Sequence, residues 1–215
     1  MNLLINCANS QVVGFVVATA GWVLSITSMG HVEWRMWYMN SSSYSTPSLA
    51  CVGMWKVCMY YYISYFERPT SCHLYTYRDA YLPVSIRVGQ HLLLAASILG
   101  LLGKVSIIIA LRKVFTRIHL RRGICHPFVV SGILNMVAST CILIAVIWNY
   151  KSVMNEEGIS FPPSFHVPFK PDTQENGNAM LAACLASFMM MLSGLFHLTY
   201  KCSLHNPVHP EDFEL

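Results

Sequence analysis

Charge is scarce in this sequence: Asp, Glu, Lys and Arg make up 11% of its 215 residues, where a soluble domain carries roughly a quarter. With 54% of the residues hydrophobic, that scarcity excludes a disordered chain and a nucleic-acid reader with a basic face. Other absences narrow the chemistry. No HExxH arrangement occurs among the histidines, and the cysteines lack the short-spaced pairs of a zinc site, so no metal or cofactor is expected. No acid falls within the long apolar runs, and there is neither a nucleophile elbow nor a phosphate-cradling glycine loop, so no enzyme is expected. What remains is a compact membrane protein forming one domain over residues 1–215.

Four runs are long enough to cross a hydrocarbon slab of about 30 Å at about 1.5 Å per residue. They cover residues 12–29, 88–111, 127–148 and 179–200, and Lys104 is the one formal charge inside them. The first run resembles a secretory signal in position, but Met1–Gln11 holds no Lys or Arg for a positive n-region, and the apolar stretch is too long for one. A retained helix is expected.

Cation placement sets the orientation. Residues 112–126 hold Arg112, Lys113, Arg117, Arg121 and Arg122 with no acid, whereas residues 149–178 hold Lys151 and Lys170 against Glu156, Glu157, Asp172 and Glu175. The arginine-rich connector is therefore expected on the cytoplasmic side, which also places the amino terminus and the tail, residues 201–215, in the cytoplasm. Residues 30–87 and 149–178 become outer loops. In the first of them Asn40, Ser41 and Ser42 form an N-glycosylation acceptor, and Cys51, Cys58 and Cys72 share an oxidising compartment. Three pairings of those cysteines are open. Cys125 and Cys202 fall near the cytoplasmic face, where palmitoylation is a candidate modification.

The first outer loop reads as folded. Around His31–Met39 the alternation sets Val32, Trp34, Met36 and Tyr38 on one face of an extended strand, with Glu33 and Arg35 on the other. The stretches 53–62 and 72–77 suit a pleated, half-buried surface as well. Within the spans, small residues recur at helical spacing: Gly14, Ala18, Gly21 and Ser25; Ala96, Gly100 and Gly103; Ser131, Asn135 and Ala138; Ala179, Ala183 and Ala186. Such stripes let helices approach closely in lipid, so a tight bundle is expected. Lys104, toward the cytoplasmic end of its span, is expected to snorkel out to the interface.

The outer-loop residues carry a family resemblance. Trp34, then Gly53, Met54 and Trp55, then Cys58 and Cys72, followed by Arg87 at the start of the second span, Trp148 closing the third, and Phe165, His166, Val167 and Pro168 in the second loop, resemble the pattern of the claudins over nearly the whole chain. The chain departs from it in Met54, in the wide spacing of Cys58 and Cys72, in the additional Cys51 and in a long segment after Trp148. The resemblance implies a left-handed four-helix transmembrane bundle carrying a small extracellular antiparallel sheet, with a Cys58–Cys72 disulfide. Closing a loop of that size is worth on the order of 3 kcal/mol by chain-entropy accounting.

The resemblance also implies a plasma-membrane protein of the tight junction, with itself or other claudins as partners in cis and in trans and lipid around its helices. Phe161, Phe165, Pro168 and Phe169 then read as an aromatic, proline-stiffened adhesive tip. Where the family ends in Tyr-Val, this chain ends Phe213, Glu214, Leu215, still able to add as a strand to a PDZ scaffold. Counting Arg35, Lys56, Arg68, Arg78 and Arg87 against Glu33, Glu67 and Asp79, any pore is expected to favour anions. A second class, an auxiliary subunit that clasps a channel or receptor, shares the same outer-loop signature.

Overall fold

The computed structural model describes residues 2–40, 47–61, 71–76, 79–115 and 125–204. Four helices dominate it: α1 (Asn2–Gly30), α2 (Val84–Phe115), α3 (Cys125–Met154) and α4 (Asn178–Leu204). Each contains a stretch long and apolar enough to cross a membrane. At one end of the bundle α2 begins and α3 finishes with polar residues, Ser85 and Arg87 in the first and Asn149 and Ser152 in the second. These polar ends form the pedestal on which the outer loops fold. In cross-section α1 lies against α2 and α4, and α3 against α2 and α4, so the helices close into a ring.

The small-residue stripes are the seams of that ring. Ala18, Ser25, Ala96, Ser131, Asn135, Ala138, Ala183 and Ala186 are all at most 1% exposed, and a Cβ on Gly21 would stand 3.1 Å from the Ala186 carbonyl oxygen. Polar side chains then tie seams that lipid cannot drive together. The Ser139 and Ser187 hydroxyls each donate to the other's carbonyl, at 2.8 and 3.0 Å, and Trp22 Nε1 donates to Ser97 O at 2.9 Å. Near the other end Gln11, Ser193 and His197 form a buried chain between α1 and α4. Lys104 does not snorkel: it is 7% exposed, donates to Gly100 O at 3.1 Å and sits 4.6 Å from the Trp22 ring. A carbonyl and an aromatic face inside the bundle replace the water that the side chain was expected to seek.

Five short strands make one antiparallel sheet in the order β4-β3-β2-β1-β5: β1 (Arg35–Tyr38), β2 (Leu49–Val52), β3 (Lys56–Tyr60), β4 (Ser71–Leu74) and β5 (Thr173–Asn176). The fifth comes from the second outer loop, so β1 lies between strands of both loops and joins them. Met54 and Trp55 turn the β2–β3 hairpin, closed by Gly53 N–H donating to Lys56 O at 2.9 Å. Position 53 must be glycine because a Cβ there would meet His31 O at 2.7 Å and Val32 Cα at 2.8 Å. The turn docks on α2, where Met54 is buried against Gly89 and Gln90 Nε2 donates to Met54 O at 2.6 Å.

The strand faces differ from the sequence expectation. The inward face of β1 carries Arg35 and Trp37, both 0% exposed, while Met36 and Tyr38 turn outward and are half-buried. Arg35 is accepted because the pedestal supplies acceptors: Nε donates to Asn149 Oδ1 at 2.7 Å and Nη2 to Ser85 Oγ at 3.0 Å. Ser85 contacts Ser152, which donates to the Glu157 carboxylate, so an acid at the end of α3 faces the cation through two hydroxyls. Burial pulls the guanidinium down to about 10, opposed by Glu157. Trp34, one residue earlier, donates Nε1 to Ser28 O at 2.8 Å and pins the sheet to the end of α1.

Two substitutions test this joint. Arg35→Ala strands the Asn149 and Ser85 acceptors and is expected to cost on the order of 3 kcal/mol in thermal unfolding of the detergent-solubilised chain, whereas a loss near zero would mean the guanidinium is not a tie. At Gly177 a Cβ would lie 2.0 Å from Glu33 O, and at Gly30 it would meet nothing within 4 Å. Gly177→Ala should therefore lower the melting temperature by several degrees, for a loss of about 2 kcal/mol, and Gly30→Ala should leave it unchanged.

Candidate functional site

With the inward face sealed against the bundle, the surface left for contact is the outward face of the sheet, its β4 edge and the second loop. One row crosses that outward face at a single register: Glu175, Met36, Cys51, Cys58 and Cys72 stand side by side on β5, β1, β2, β3 and β4. Cys58 and Cys72 are joined as a disulfide with Cα atoms 4.1 Å apart. The bridge staples β4, whose four residues are all exposed, to the interior of the sheet. Cys51 is a buried free thiol.

The second loop leaves α3 through Glu156, whose φ of 49° lets the chain reverse, and returns along β5. It is tied to the sheet at two points. Asp172 N–H donates to Tyr38 O at 3.1 Å, and its carboxylate Oδ2 accepts the Asn40 N–H at 2.6 Å. Between these ties and α3 the chain makes a single 3-10 turn, Pro163–Phe165, ended by His166 in the left-handed region. Asp172 was not singled out from the sequence, although Pro171 followed by Asp172 is a turn signal.

The four residues of the expected adhesive tip separate into two pairs. Phe161 is 9% exposed and belongs to the core beneath the sheet, its ring 5.6 Å from Trp37 and 5.9 Å from Tyr81. Half-buried Phe165 sits 6.0 Å from Phe161 and 5.0 Å from His73 of β4. Pro168 and Phe169 remain outside, Phe169 being 58% exposed. The reason is geometric: Ile159 N–H donates to Phe169 O at 3.0 Å, so the loop doubles back and presents one aromatic to the sheet and the other to the surroundings. A groove of about 490 Å³ runs between this tip and the end of β1, lined by Asn40, Pro168, Lys170 and Asp172 among others.

The signature residues are structural in this arrangement. Trp34 and Gly53 are closed in by α1 and the hairpin approach, Trp55 is half-buried with its carbonyl accepting the Tyr75 N–H at 2.9 Å, and Arg87 Nη2 donates to Asp79 O at 2.6 Å. Two cations counted toward an anion-favouring surface are thereby committed to the fold: Arg35 is fully buried, and Arg87 serves a backbone carbonyl. The remaining charges of the first loop balance, with Lys56, Arg68 and Arg78 against Glu33, Glu67 and Asp79. Asn40 is exposed at the end of β1. Cys125 opens α3 and Cys202 lies in the last turn of α4; their side chains, and Phe213 and Leu215 of the tail, lie outside the described residues.

No family model matches the chain. It is similar to Claudin-1 of Mus musculus, 21% identical over 207 residues that cover 94% of this chain and 90% of that protein. The likeness runs from the first helix through both outer loops to the fourth helix, over the same segments that build the four apolar helices and the disulfide-bridged sheet. Together these features make the chain a multi-pass membrane protein with a claudin-like fold.

Proposed function

We propose that this protein is a tight-junction adhesion protein of the plasma membrane, with both termini in the cytoplasm. Its copies, alone or with claudins, associate side by side in one membrane and head to head between cells, closing the paracellular space. The observation that carries this reading is the union of both outer loops in one sheet held rigidly above the bundle, with Phe169 and Pro168 projecting beyond it. A rigid, proline-flanked aromatic loses little entropy on contact, which suits repeated weak contacts between copies. The full-length likeness to Claudin-1 supports the same reading.

A barrier fits the surface better than an anion-selective pore. With Arg35 buried, the positive excess counted over the first loop falls from two charges to one, which weakens the case for an anion-selective conduit. Three further features belong to the proposal: a glycan on exposed Asn40, acyl chains on Cys125 and Cys202, and capture of the terminal Phe213-Glu214-Leu215 by a PDZ scaffold.

Expressing the chain in cells that lack tight junctions is expected to produce intramembrane strands at cell contacts by freeze-fracture. Diffuse surface distribution with a co-purifying channel would instead favour the auxiliary-subunit class. Within the same assay the two phenylalanines should behave differently. Phe169→Ala is expected to reach the surface with unchanged melting temperature but fewer cell-contact strands, and Phe161→Ala is expected to lose about 3 kcal/mol of stability and surface yield.

A further inference from the structure

The cysteine row has chemistry that adhesion does not use. Cys51 and Cys58 are directly opposed on β2 and β3, and Cys58 and Cys72 are directly opposed on β3 and β4. All three side chains therefore project from one face in one line across the strands, with the bridged Cys58 in the middle. From this geometry we infer that the outer sheet is a thiol–disulfide exchange site, in which Cys51 displaces Cys72 from Cys58 and delivers a free thiol to the exposed edge strand.

The step balances without an oxidant. Cys51 gives its proton to water, and the thiolate electron pair forms a new bond to Cys58 Sγ. The electrons of the Cys58–Cys72 bond leave on Cys72 Sγ, which takes up a proton from water. One thiol and one disulfide are present before and after. Displacement at sulfur needs nucleophile, central sulfur and leaving sulfur in line, and the row places attacker and leaving group on opposite strands flanking Cys58.

Both bridges are compatible with the same backbone. Gly53 and Lys56 form a hydrogen-bonded pair, so Cys51 and Cys58, two residues further from the turn on each strand, form another. Such pairs have Cα atoms about 5.5 Å apart, within the span that disulfides bridge. Exchange therefore does not dismantle the sheet: it moves the staple inward from β3–β4 to β2–β3 and leaves β4 held by hydrogen bonds alone. Cys51 and Cys58 are each 3% exposed, whereas Cys72 lies on a strand exposed throughout, so the product carries its reactive thiol where a modifying reagent or a second copy reaches it.

The surroundings hold the site in its resting form. Burial raises the Cys51 thiol to about 11, with Glu33 adding to the effect and a hydrogen bond from Tyr60 of β3 opposing it. Tyr38 of β1 faces the same thiol, and Glu175 of β5 stands beyond Met36 and raises Tyr38 in turn. At neutral pH the attacking group is thus almost wholly protonated. Its thiolate fraction, and with it the exchange rate, grows about tenfold per pH unit up to that value.

The test uses the full chain in detergent micelles, held at pH 7 and at pH 9, quenched with acid, blocked with N-ethylmaleimide and mapped without reduction. The expected result is a Cys51–Cys58 peptide accompanied by maleimide on Cys72, appearing about 100-fold faster at pH 9 than at pH 7. A single Cys58–Cys72 linkage with maleimide on Cys51 at both pH values would overturn the inference. So would maleimide on Cys72 in Cys51→Ser, because that variant lacks the attacker. Cys72→Ser isolates the second bridge: a Cys51–Cys58 linkage supports the exchange, and two free thiols in a folded variant reject it. If that variant fails to accumulate, the wild-type time course decides.

Discussion

A sheet of five strands, none longer than five residues, cannot hold itself together in water. Its persistence depends on the burial of one face, and in this protein the buried face contains a cation. Arg35 lies fully enclosed between β1 and the ends of α2 and α3, held by Asn149 and Ser85, with Glu157 behind them. Removing a guanidinium from water is costly, so the arrangement is tolerable only because the ends of α2 and α3 supply hydrogen-bond acceptors. That requirement links the two halves of the molecule: the ends of α2 and α3 supply the acceptors, and the sheet supplies the cation that engages them.

The same constraint explains how the outer surface is divided. Residues that resemble the claudin signature turn out to be joints. Trp34 closes onto α1, Gly53 permits the hairpin to approach the chain at His31, Met54 sits on α2, and Arg87 holds Asp79. Once these are spent on the fold, the exposed chemistry among the described residues reduces to the edge strand with Cys72, behind which Cys51 and Cys58 lie buried, and the tip formed by Pro168 and Phe169. Rigid mounting matters for each of them. It fixes the register that aligns three sulfurs, and through Asp172 it ties the loop that carries the tip to the end of β1.

The helical part was legible because its signals are one-dimensional. Runs free of charge but for Lys104 mark the spans, and small residues every three or four positions mark the seams, since neither depends on what the rest of the chain does. The sheet was only half legible. β1 and β3 have aromatic or β-branched side chains and β4 runs into Tyr75, but β2, Leu49–Val52, has small Ala50 and Cys51 at its centre, and β5, Thr173–Asn176, is wholly polar and pairs along β1. Arg35, Lys104 and Phe161 were misjudged for a shared reason. A charged or aromatic side chain read in isolation is assigned to solvent or to a partner, and only the assembled fold reveals an internal acceptor or ring that satisfies it.

The central claim is that the five-stranded sheet is one rigid body with the helix bundle, joined at Arg35. Hydrogen–deuterium exchange of the full chain in lipid nanodiscs measures it directly at residues 34–39. The account predicts that amides of β1, bonded on both sides by β2 and β5, exchange as slowly as those of α3 and α4 within the membrane. Exchange of β1 within seconds, at the rate of an exposed loop, would mean that the sheet is loosely tethered and would contradict the account.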